Sequence, residues 1–90
     1  MKQLSYDEQA RRGESIARLL ADPDVRGMLR ELEDRYIVAW KERDSTPEAR
    51  ERVWHQSQAL HDLVEEFERA VAEGVFARET LQRQERQAPQ

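Results

Sequence analysis

Apolar residues recur along this chain at helical spacing in three stretches, and a capping signal precedes each one. Ser5-Tyr6-Asp7-Glu8 reads as a capping box. Its Ser5 hydroxyl is placed to accept from the Glu8 amide while the Glu8 carboxylate reaches back to the Ser5 amide. Ala10, Ile16, Ala17, Leu19 and Leu20 then supply a weak apolar face, which predicts a helix over about residues 6–21. Gly13 costs this helix about 1 kcal/mol relative to alanine, so the segment is expected to lean on another surface.

Asp22-Pro23-Asp24 stops that helix and starts the next: Asp22 suits an N-cap, Pro23 the first helical position, and Asp24 the positive end of the dipole. Val25, Leu29, Leu32, Tyr36 and Ala39 follow at alternating four- and three-residue steps, with Met28, Ile37 and Trp40 beside them, predicting a helix over about 23–41. Thr46-Pro47 repeats the cap-and-proline signal. The third stripe is Val53, Ser57, Leu60, Val64, Phe67 and Val71, interrupted only by Ser57, and it predicts a helix over about 47–73. Gly74 fits the left-handed position that closes helices. Val75 to Leu81 is then expected as a short C-terminal helix or docked arm, and 82–90 as a polar, frayed tail.

The expected architecture is all-α: a single helical domain over 1–81, built on an antiparallel helical hairpin of 23–41 and 47–73. Four-three stripes favour a crossing near ~20° with interlocking side chains. The third helix would overrun the second by about two turns, so its far end needs cover from the first helix or from a second copy of the hairpin.

Composition narrows the function classes. Ninety residues make one domain at most, and 38% charged residues with no cysteine exclude disulfides and thiolate zinc sites. No apolar run approaches the ~20 residues of a membrane span, and no secretory segment follows Met1; a cytoplasmic protein without membrane partners is expected. Seven acid-then-base pairs stand four apart: Asp7/Arg11, Glu8/Arg12, Glu14/Arg18, Glu31/Arg35, Glu48/Arg52, Glu65/Arg69 and Glu79/Arg83. Each is worth about 0.2–0.5 kcal/mol to a helix, so these charges are expected on solvated faces.

Catalytic chemistry has little to work with. The serines lack a glycine-rich elbow and no phosphate-cradling loop is present, so neither an enzyme nor a cofactor is expected. His55, His61, Asp62 and Glu65 form the one cluster with metal-ligand character, but Gln58 stands where a Glu-x-x-His bundle site needs a carboxylate; no metal is expected. Arg11, Arg12 and Arg18 are candidate nucleic-acid contacts. The formal charge of −4 opposes that reading, as do five acids against Arg69 alone over residues 62–73, because phosphate contacts carry most such affinity.

Trp40 and Trp54 flank the turn between the second and third helices, where they either close the core or stand exposed as interface anchors, a common role for tryptophan. Val64, Phe67, Val71, Val75 and Phe76 complete the candidate interface. The runs Leu32-Glu33-Asp34-Arg35-Tyr36-Ile37-Val38-Ala39-Trp40, Pro47-Glu48-Ala49-Arg50-Glu51-Arg52 and Gln58-Ala59-Leu60-His61-Asp62-Leu63 resemble small helical proteins of tailed bacteriophages and prophages. The likeness spans about residues 14–81 and departs at Val64-Glu65-Glu66. It implies a virion-assembly or packaging accessory in the bacterial host cell or associated with the virion, and carries no activity with it. The leading expectation is a non-enzymatic, homo-oligomeric interaction protein; the alternative is a DNA-packaging or regulatory subunit touching DNA through its N-terminal helices.

Overall fold

The computed structural model describes residues 3–88 and contains three helices: α1 (Tyr6–Ala21), α2 (Pro23–Trp40) and α3 (Pro47–Gln87). Their starts follow from local chemistry. The Glu8 amide donates to Ser5 Oγ at 3.2 Å, and the Ser5 amide donates to Glu8 Oε1 at 3.3 Å. These Ser5 hydrogen bonds, side chain first and backbone second, hold the Glu8 carboxyl below the usual carboxylate range. Asp22 alone separates α1 from α2. Its Oδ1 accepts from the Asp24 amide at 2.8 Å, while its own N–H donates to the Leu19 carbonyl at 3.2 Å. Thr46 caps α3 by accepting from the Ala49 amide at 3.1 Å, and Arg50 donates to the Glu42 carbonyl at 3.2 Å across the preceding turn.

The third helix does not stop at Gly74. It runs unbroken for 41 residues to Gln87, about 60 Å at 1.5 Å per residue. No separate C-terminal helix or arm exists among the described residues, and residues 82–87 are helical; only residues 89 and 90 of the expected tail lie outside the described residues. Gly74 has a negative φ, so left-handed freedom is not its role. Sequence reasoning took this glycine for a terminator, whereas packing uses it as a gap.

That gap admits α1. A Cβ built on Gly13 would lie 2.7 Å from Gly74 Cα and 2.8 Å from the Ala70 carbonyl oxygen. One built on Gly74 would lie 2.8 Å from Gly13 Cα and 3.1 Å from the Gln9 oxygen. The two backbones therefore meet with no room for a side chain between them. Ala10 and Ala77 are the buried apolar residues among those described, at 3% and 0% exposure, and with Gly13 and Gly74 they make the core. Small residues on both helices bring main chains close enough for dense van der Waals contact. Gly13 thus weakens its helix locally in exchange for a main-chain contact that no other residue would permit.

Ion pairs flank this crossing. Arg12 reaches Glu73 at 3.5 Å, and Arg78 pairs with Glu14. None of the seven four-spaced pairs expected within helices is among the ion pairs of the described residues. Instead, Glu8 turns back to Ser5, Arg12 and Glu14 cross to α3, Glu65 meets His61 at 3.0 Å, and Arg69 meets Glu66 at 2.8 Å. For Arg12 and Glu14, neighbours from another helix won because the backbones are so close.

α1 covers the second half of α3 and α2 lies along the first half. Arg26 and Leu29 share a groove with Leu60, His61 and Val64, whereas Ile37 and Trp40 share one with Val53 and Trp54. The stripe residues Val25, Leu29, Leu32, Tyr36 and Ala39 of α2, and Val53, Ser57, Leu60, Val64, Phe67 and Val71 of α3, are all half-buried. No residue of α2 is buried. The molecule is a thin rod, 71 × 30 × 14 Å, with a radius of gyration of 19.0 Å; a compact chain of this length would have about 12 Å.

Candidate interaction surface

Of the residues singled out from sequence, Trp40 and Trp54 come together. They line one open groove of about 300 Å³ with Tyr36, Ile37, Lys41, Val53 and Ser57. The two tryptophans are 50% and 51% exposed and Ile37 is 46% exposed, so the tryptophans do not close a core. Both helices contribute: Ile37 and Trp40 sit in the last turn of α2, and Val53 and Trp54 in the second turn of α3. Trp54 is steadied by an edge-on contact with the His55 ring, centroids 5.2 Å apart.

Val64, Phe67 and Val71 continue along α3, half-buried beneath the shorter helices. Val64 borders the groove beside Leu29, and Val71 borders one beside Gly13 and Ala17. Val75 and Phe76 are 56% and 55% exposed. Val75 stands in the Val71 groove, about 30 Å along the helix from Trp54 at 1.5 Å per residue. Trp40 and Trp54 therefore make an aromatic cluster near the α2–α3 turn, Val64, Phe67, Val71 and Val75 follow one line along α3, and Phe76 stands about 100° around the helix from Val75.

The polar candidates are dispersed. Arg12 is occupied with Glu73; Arg11 lies in a groove with Asp7, Glu14 and Glu85, and Arg18 is exposed on α1. Arg11 and Arg18 share one face of α1, but Asp7 and Glu14 lie on it too, so the face is of mixed sign. His55 approaches Glu51 at 3.6 Å and His61 approaches Glu65 at 3.0 Å, each as a surface pair four residues apart. Among the described residues, no group of three or more His, Cys, Asp or Glu side chains is placed to hold a metal ion. No helix among them is long and apolar enough to cross a membrane.

Sequence reasoning offered α1 as one of two covers for the far end of α3, but missed the glycine-to-glycine contact that seats it there. The signal was present as small residues at helical spacing on two segments: Ala10, Gly13 and Ala17 on one, Ala70, Gly74 and Ala77 on the other. No family model, curated protein or solved structure matches this chain.

Proposed function

We propose that this chain is a non-enzymatic helical assembly subunit that works as a homo-oligomer. α2 and the first half of α3 form an antiparallel hairpin that carries the contact surface, and α1 braces the second half. One observation carries the reading: the isolated rod exposes 7698 Å², against about 5,500 Å² expected for a compact monomer of 10.7 kDa. The excess is on the order of 2,000 Å², more than one partner contributes to a standard interface and within the range of permanent ones. The half-buried stripes of α2 and α3 lose most of this exposure only when a further helical layer is added.

The resemblance to phage and prophage proteins favours a role in virion assembly or packaging, in the host cell or on the particle. DNA contact is the weaker alternative, since Arg12 is paired with Glu73 and Arg11 and Arg18 share their face of α1 with Asp7 and Glu14. Sedimentation equilibrium on the full chain is expected to return a multiple of 10.7 kDa at micromolar concentration, with no dependence on added DNA. A monomer throughout that range would refute the reading.

A further inference from the structure

The proposed self-association leaves open which surface a second copy covers. We propose that two copies meet through the Trp40–Trp54 groove, related by a two-fold axis, so that the same patch lies on both sides of the contact. The inference rests on the homo-oligomer reading and adds its location.

Three observations converge on this end of the rod. Anchoring comes first: two tryptophans and Ile37, each about half exposed, line a groove whose floor is Val53 and Tyr36. Taking about 200 Å² per aromatic side chain, they offer roughly 300 Å² of apolar surface, comparable to the largest exposed patch of a typical monomer, which is often functional. Aromatic side chains half-sunk in a groove are also the usual dominant anchors of interfaces.

Charge comes second. A two-fold contact sets a surface against itself, so a patch of one sign repels its own copy. Residues 36–58 carry Lys41, Arg43, Arg50 and Arg52 against Glu42, Asp44, Glu48 and Glu51, a net charge of zero. Residues 62–73 carry Asp62, Glu65, Glu66, Glu68 and Glu73 against Arg69 alone. The groove lining itself carries a single charge, Lys41, with acids and bases balanced around it, whereas the acidic stretch would set five carboxylates against their own copy.

Area comes third. The excess surface of the isolated rod, on the order of 2,000 Å², is ample for the roughly 800 Å² per partner of a standard interface. The α2 half of the rod is the more loosely packed, since α2 has no buried residue, whereas α1 is already clasped to α3 at Gly13 and Gly74. A second copy seated over the α2–α3 groove would cover the half that is short of partners.

The chain's two tryptophans are both in the patch, so their fluorescence reports on it directly. The test combines acrylamide quenching of the full chain across a dilution series with sedimentation equilibrium of two double variants, helicity being checked by circular dichroism. Trp40→Glu/Trp54→Glu alters the patch; Met28→Glu/Leu63→Glu alters exposed apolar residues outside the groove. The expected result is quenching that falls as concentration rises, self-association at least about 30-fold weaker in the tryptophan variant, and little change in the other. Should the wild-type chain associate while its tryptophans stay equally quenchable, the location is wrong and the oligomer reading survives. The location is equally wrong if Met28→Glu/Leu63→Glu, rather than the tryptophan pair, abolishes association. A monomeric wild-type chain overturns both.

Discussion

Each of the three glycines stands inside a helix, where alanine would be preferred by about 1 kcal/mol, yet their surroundings differ. At Gly13 the added carbon would strike Gly74 Cα and the Ala70 carbonyl, both main-chain atoms that cannot rotate away. Gly13→Ala is therefore expected to destabilise by about 1–3 kcal/mol as α1 is pushed off α3, despite the gain in helix propensity. At Gly27 nothing lies within 4 Å of the added carbon, and Gly27→Ala is expected to stabilise by about 0.5–1 kcal/mol. Urea unfolding of the two variants beside the wild type checks the pair. Equal effects of either sign would mean that the Gly13–Gly74 contact is not what holds α1.

At the scale of elements, caps and continuity carry the expectations. The Glu8 carboxyl is held below its usual range by Ser5, so folding favours its charged form. That contribution is complete above the ordinary carboxylate range and is lost as the pH falls through the lowered value. Helicity of α1 should thus decline on acidification, and Ser5→Ala should remove part of that pH dependence; an unchanged profile followed by circular dichroism would contradict the capping role. A second expectation concerns α3. Amides from Val75 to Leu81 should exchange as slowly as those from Leu60 to Phe67, since one helix carries both. Rapid exchange beginning at Gly74 would restore the terminator reading.

The three helix starts were legible in the sequence because capping depends on neighbours within four residues. Ser5, Asp22 and Thr46 all act as expected. The half-buried positions of α2 and α3 were legible too, because apolar spacing follows helix geometry. The end of α3 was not. Glycine closes a helix or admits a neighbour by the same lack of a side chain, and only tertiary packing decides between them. Two of the seven expected charge pairs failed for a related reason: Arg12 and Glu14 found partners on α3 that no local rule foresees. At the candidate surface, spacing put Trp40 and Trp54 at the same end, but their half-exposure depends on how loosely α2 rests on α3.

For the whole molecule, the question is what a rod 14 Å thick does with its apolar stripes. Two helices laid end to end along a third cover each helix on one side only, so side chains are covered by halves. A core of two alanines and two glycines is small for a chain of 90 residues, and chains of this size often complete their cores by association. Scattering from the associated form should show more helical layers in cross-section than the single sheet of helices seen here. The most direct measurement is thermal unfolding of the full chain at two concentrations, about 1 and 100 µM, because association with the native state alone makes the midpoint depend on concentration. The account predicts a midpoint that rises with concentration. A midpoint that stays fixed, with a mass of 10.7 kDa at both concentrations, would show that the rod stands alone.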